Sequence, residues 1–230
     1  MKSQAAAVHK TATRKVAARG IATAARSAPT NWETLGIKIR AERERRGMAL
    51  REMARRVGVS PSLISQIERG LVTPSVGTLW SMATELGLVM DELFRTAEQT
   101  TAASEPAGPA PLGHVQRRDS RKRLRLAGGV EWERLTAQPD DDVEFLYVKY
   151  EAGAESCPED SLFRHGGKEY AYVLEGRLGV QIGFERYELG PGDSVSFQSQ
   201  SPHRLWAIGD APAIAIWAVV NRTGDTRGGN

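Results

Sequence analysis

Residues Leu50–Gly70 read LREMARRVGVSPSLISQIERG, and this stretch decides the fold of the first half of the chain. Leu50, Met53, Ala54 and Val57 recur at i, i+3, i+4 and i+7, the spacing of one buried helix face. Gly58 follows at once, where a helix end favours a left-handed residue. Val59 returns to the core. Ser60 is a good N-cap, and Pro61 suits a first helical turn, where no amide partner is lost. The second helix then runs to about Arg69 and stops at Gly70. Leu63, Ile64 and Ile67 form its apolar side. Ser62, Ser65, Gln66 and Arg69 form the opposite side, short and free of acids.

Such a stripe can reach base edges and phosphates. Gln66 suits a bidentate pair with adenine, the serines suit bases or phosphates, and Arg69 suits phosphate. With Arg51, Ser60 and Pro61 beside it, the expected DNA-binding set is Arg51, Ser60, Pro61, Ser62, Ser65, Gln66 and Arg69. The competing reading is a plain solvated face in a helical bundle. Upstream, Trp32 to Arg46 predicts a helix with Leu35, Ile37 and Ile39 on its apolar side. Arg40, Arg43, Arg45 and Arg46 are its outward candidates for phosphate, with Glu42 and Glu44 competing for them as partners on the same helix. Downstream, Thr73-Pro74 opens a helix that places Leu79, Met82, Ala83 and Leu86 in the core and ends at Gly87. Asp91 to Phe94 completes a five-helix bundle.

Residues 35–94 resemble the phage-repressor-like helix-turn-helix domain of the xenobiotic-response-element regulators. The phrases that carry the resemblance are IRAERERRGMALREMARRVGVSPSLISQIERG and TPSVGTLWSMATELGLVMDELF. Ala49 departs from the pattern, since the family usually places Thr or Ser there as a helix cap.

The chain has 230 residues, enough for one large or two small domains, and its 40% hydrophobic content supports real cores. Net charge is +3, and Cys157 is the only cysteine, which excludes an internal disulfide and fits a reducing compartment. No apolar run approaches a membrane span. Residues 1–31 carry six basic side chains and no acid, and read as a disordered arm that adds non-specific DNA attraction or stays inert. Residues 32–95 are the expected helical domain. Residues 96–115, rich in Ala, Pro, Gly and Ser, are a linker. The RRDSRKRLRL run that follows reads as the edge of a first strand, because Leu124 and Leu126 alternate with charges.

From about Gly129 the period changes to two. VEFLYVKY, EYAYVLEG, RLGVQIG, RYELGPGDSVSF and PAIAIWAVV are short strands bounded by Gly, Pro or Asp turns. The expectation is an antiparallel barrel or jelly roll over 116–222, with a tail at 223–230. Four features then point one way: His165-x-x-x-Glu169, YVLEG at Tyr172–Gly176, GPGD at Gly190–Asp193, and Pro202-His203. With them, residues 143–220 resemble a cupin barrel of the regulator-associated kind. The resemblance implies a metal set of His165, Glu169 and His203. The family's first His falls at Phe163. Two imidazoles and a carboxylate suit iron, zinc or manganese; the alternative is a ligand pocket without metal. The expected ligand-binding residues are Tyr147, Arg164, His165, Glu169, Gln181 and His203, with Arg164 as an anchor for an anion. Tyr172 and Trp217 also qualify as lining, though aromatic residues at alternating spacing are more often core.

The two parts together describe a bacterial cytoplasmic transcriptional regulator and no enzyme. The helices read a double-stranded DNA operator. The barrel binds a small-molecule effector and forms the homodimer, with half-sites about 34 Å or a multiple apart. The alternative is an enzyme, since the triad and the two-domain order also resemble an iron-dependent hydroxypropylphosphonate epoxidase.

Overall fold

The computed structural model describes residues 32–88, 90, 93–94, 113–138, 140 and 142–221. Its helices are α1 (Trp32–Arg45), α2 (Leu50–Val57), α3 (Pro61–Glu68) and α4 (Val76–Glu85). Four helices thus have complete bounds where five were expected. Of the fifth, Met90, Leu93 and Phe94 are described, and they are helical. The expected arm, most of the linker and the tail lie outside the described residues.

The turn between α2 and α3 follows from its residues. Gly58 adopts φ 78°, and its amide closes on the Ala54 carbonyl. Ser60 is extended, and its hydroxyl accepts the Leu63 amide at 3.2 Å. Ala49 is extended too and has no side-chain cap to offer α2. Met53, Ala54, Ile64, Ile67, Leu79, Met82 and Leu86 meet in the core as expected.

Helix α1 corrects two expectations. Ile37 is exposed and Arg43 is buried. The reason is the helical period: Leu35, Ile39 and Arg43 stand at i, i+4 and i+8 on one face, and Ile37 points the other way. Arg43 reaches Glu68 at the end of α3 through Nε (2.6 Å) and Nη2 (2.9 Å). Its Nη1 donates to the Met48 carbonyl at 2.8 Å. Gly36 lets the two helices come this close, because a Cβ there would overlap the carbonyl oxygens of Ile67 and Glu68.

Beyond a short 3-10 turn at Arg118–Ser120, the described residues form nine strands: β1 (Arg123–Leu126), β2 (Val130–Arg134), β3 (Val143–Tyr150), β4 (Lys168–Glu175), β5 (Leu178–Ile182), β6 (Glu185–Leu189), β7 (Ser194–Gln198), β8 (His203–Ala207) and β9 (Ala213–Val220). They form two antiparallel sheets, in the orders β1-β2-β3-β9-β4-β7 and β6-β5-β8. Alternation sends Leu146, Val148, Tyr150, Ala171, Val173, Ala215, Trp217 and Val219 to the interior. The basic run behaves as a strand edge: Leu124 and Leu126 are buried, Arg121 and Arg123 pair with Glu133, and Arg125 pairs with Glu131.

The helices dock directly on the sheets. The Gly77 amide donates to the Ser156 carbonyl at 3.1 Å, and the Ala127 amide to the Pro74 carbonyl at 3.0 Å. The Trp32 indole donates to the Arg125 carbonyl at 3.1 Å. A Cβ on Gly77 would lie 3.1 Å from the Phe163 ring, so α4 approaches the barrel closely there. One turn on, Trp80 meets Trp132 edge to face, with centroids 5.7 Å apart.

Candidate functional site

The polar stripe of α3 faces outward. Ser62 and Arg69 are exposed, Ser65 and Gln66 are half-buried, and Arg51, Ser60 and Pro61 are exposed beside them. The Arg69 Nε donates to the Ser65 carbonyl at 3.2 Å. Among the described residues neither Arg51 nor Arg69 pairs with an acid. The arginines of α1 and α2 differ. Arg40 pairs with Glu44, Arg45 and Arg46 with Glu42, and Arg55 and Arg56 with Glu52. The expected competition on α1 therefore goes to the glutamates, and the unpaired cations flank α3.

Inside the barrel, His165 precedes β4, Glu169 points inward from β4, and His203 begins β8. The His165 and His203 Nε2 atoms lie 3.0 and 3.2 Å from Glu169 Oε1. All three side chains are buried. Each imidazole turns Nδ1 to a backbone carbonyl, His165 to Gly166 (2.8 Å) and His203 to Ser201 (2.9 Å). Those nitrogens must carry the hydrogen, which leaves each Nε2 of a neutral ring as a lone pair. The Trp217 indole donates to Glu169 Oε2 at 2.7 Å and holds the carboxylate in place. Glu169 Oε1 and His203 Nε2 are buried without a hydrogen-bond partner. Three lone-pair atoms thus converge within 4.8 Å of one another, which is the donor set a divalent cation takes. Burial pushes the Glu169 carboxyl up; when the imidazoles also carry a proton on Nε2, the hydrogen bond from His165 and the charge of the two rings outweigh burial and hold the group below its ordinary value. Burial pushes the His203 imidazole down, toward the neutral form that ligates.

Phe163 stands where the resemblance places a fourth ligand. It exchanges backbone hydrogen bonds with His203, and its ring lies 4.3 Å from that imidazole. Trp80 covers His165 from the helical side at 4.2 Å. The triad therefore has apolar walls, one of them supplied by α4.

Of the six expected ligand residues, His165, Glu169 and His203 come together; Arg164 is exposed and shares a cavity wall with His165 alone among them. Tyr147 and Gln181 do not join them. Tyr147 is out of phase with Leu146 and Val148, so it leaves the outer face of the larger sheet, under the Arg121 guanidinium. Gln181 is in register with Arg204, one residue out of phase with His203, and its amide donates to the Gly183 carbonyl at 3.1 Å. The residue missed is Tyr150, which is buried and whose phenol is pushed up by burial and by the Glu169 charge. Its parity with Leu146 and Val148 was the available signal. Trp217, weighed as lining or core, turns out to hold the triad. Cys157 is buried, and burial raises its thiol.

Residues 39–93 match the helix-turn-helix family and residues 146–219 the cupin domain family. The HTH-type transcriptional regulator PuuR of Escherichia coli K12 is 26% identical over 168 residues, covering 73% of this chain and 84% of PuuR. SutR, an HTH-type transcriptional regulator of the same organism, is 26% identical over 171 residues, covering 74% and 84%. Among solved structures, an HTH_3 family transcriptional regulator from Vibrio cholerae superposes with a TM-score of 0.59 at 25% identity, covering 83% of this chain and 97% of that one. The chain thus joins a helix-turn-helix domain to a cupin domain, and over most of its length it is similar to HTH-type transcriptional regulators.

Proposed function

We propose that this regulator reads its operator through α3 and that an effector taken at the barrel mouth modulates DNA binding. One observation carries the first half: the acid-free stripe of Ser62, Ser65, Gln66 and Arg69 stays available while the arginines of α1 and α2 are held by glutamates. Arg69 and Arg51 serve phosphate, and Gln66 serves a base edge. The test is to select bound fragments from genomic DNA and then compare Gln66→Ala with the unaltered chain. Losing one bidentate base contact should cost about 1–3 kcal/mol of discrimination and keep most of the salt-sensitive background affinity. A uniform loss on all DNA would contradict base readout.

The second half rests on the triad. His165, Glu169 and His203 fit an iron, zinc or manganese ion, because each can offer one lone-pair atom and these atoms converge, with Glu169 Oε1 and His203 Nε2 buried without a hydrogen-bond partner. Such an ion, when bound, supplies a Lewis-acidic point for an effector oxygen. The chain's own part is to hold the donors: Gly166 and Ser201 fix the imidazoles, and Trp217 fixes the carboxylate. Elemental analysis of the purified protein against His203→Ala tests this, and equal metal in both would refute the assignment.

We read the chain as a cytoplasmic homodimer without enzymatic activity. Its relatives are named as regulators, and α3 keeps a face that catalysis would not need. The triad itself favours the competing reading, since two His and one Glu are the donors of iron-dependent oxygenases. Oxygen consumption by the iron-loaded protein that disappears in His165→Ala would establish that activity.

A further inference from the structure

Between the helical domain and the barrel lies a cavity of about 580 Å³. Arg46, just past α1, and Arg56 of α2 line it from one side; Arg164 and Gln200 line it from the other. Thr84 and Glu85 of α4 close it, and its inner end reaches His165. Three guanidinium groups therefore face one carboxylate across a space large enough for a small metabolite.

The cations are unequally engaged. Arg56 gives Nε to Glu52 and Nη1 to Glu85 (3.2 Å). Arg46 gives its Nε to Glu42 at 2.8 Å. Its Nη2 packs over Gly87, where a Cβ would lie only 2.7 Å away. Arg164 has no acidic partner among the described residues. Two forks, one from each domain, thus keep N–H groups for a guest. A guanidinium fork matches a planar carboxylate bidentately, and a partly enclosed pair is stronger than an exposed one.

We infer that this cavity binds a small organic acid with at least two carboxylates, clasped between Arg164 of the barrel and Arg46 of the DNA-binding domain, and that this acid is the effector. The inference deepens the regulatory reading above and rests on it for its consequence. A guest that touches both domains favours the arrangement in which they meet. Only a difference in its affinity for two arrangements can shift DNA binding. Helix α4 sits at the junction, with Trp80 on His165 and Thr84 in the cavity wall.

The test uses the full chain, with citrate and succinate as probes and inorganic phosphate and acetate as comparisons, all at matched ionic strength. Calorimetry should show saturable binding of citrate or succinate, weakened about tenfold or more in Arg164→Ala and in Arg46→Ala. Acetate should bind far more weakly. Operator affinity should change with the bound probe in the unaltered chain and stay constant in Arg164→Ala. By reciprocity, operator DNA should change probe affinity by the same factor. No uptake of either acid, uptake indifferent to both arginines, or preference for inorganic phosphate would overturn the inference. Binding without any change in operator affinity would overturn the effector role. Failure to select any operator would sink the regulatory reading instead, and calorimetry would still decide the pocket.

Discussion

Arg43 is the residue whose role the sequence disguised. It stands in a run of arginines and glutamates on α1, where charge suggests solvent or phosphate. Its partner Glu68 is 25 positions away and sits next to the recognition stripe. Only the i, i+4, i+8 series with Leu35 and Ile39 marks its side of the helix as buried, and that signal is weak against so much local charge. Removing one member of a buried pair leaves the other charge without compensation, which typically costs about 3–5 kcal/mol. Arg43→Ala should therefore lower stability to urea by that order, with DNA binding reduced through unfolding. Replacing both, as Arg43→Met with Glu68→Leu, should recover much of the loss, because no lone carboxylate is left buried. If Arg43→Ala stays within about 0.5 kcal/mol of the unaltered chain, the pair is not what ties α1 to α3.

At the level of elements, the sequence was read well wherever one period dominates. The α2 and α3 boundaries followed from Gly58, Ser60 and Pro61, and the strands from alternation. Failures arose where parity had to be anchored. Composition alone points to Tyr147 as pocket and passes over Tyr150, although Leu146 and Val148 decide which of the two faces inward. Helix α2 offers a direct check of capping. Ala49 has N-cap geometry, with φ −68° and ψ 148°, and no side chain to use it. Ala49→Ser should supply the missing acceptor and raise stability by about 1 kcal/mol, seen as a higher thermal midpoint. No gain would mean that the α2 amides are already satisfied by solvent. The carboxylates of α1 and α2 contribute to the acid sensitivity of the fold. Hydrogen bonds from Arg45 and Arg46 hold Glu42 down to about 2, and those from Arg55 and Arg56 do the same for Glu52. Both groups favour the folded state when ionised. Their contribution is complete above the ordinary carboxylate range and lost as pH falls toward about 2. Helicity in an acid titration should fall earlier in Glu42→Gln than in the unaltered chain only if other acids dominate; the expected result is a shallower dependence over that window.

For the whole molecule, the two domains were each legible, and their contact was not. Trp80 reads as an ordinary core residue of α4, and nothing in local periodicity shows that it rests on His165 of the barrel. The outer face of the larger sheet is the other feature that appears only in three dimensions. Cross-strand register lines up Phe145 with Ala218 and Tyr170, and Tyr147 with Ile216 and Tyr172. Phe145, Tyr170, Tyr172 and Leu174 are exposed there, a contiguous apolar patch rather than scattered side chains. In the homodimer proposed above, this face is where a second copy would sit, because a two-fold axis can set the same patch of both chains together. A stable pair needs roughly 800 Å² buried per partner. Two copies would present two α3 helices, and a single head loses the avidity of the second. Tyr172→Glu places a charge in the patch, on the face of β4 opposite to Glu169. It should halve the mass measured by light scattering, weaken operator binding, and shrink the protected DNA to one half-site. If the mass is already that of one chain before the substitution, or stays unchanged after it, the face does not join two copies and the paired heads must be held together elsewhere.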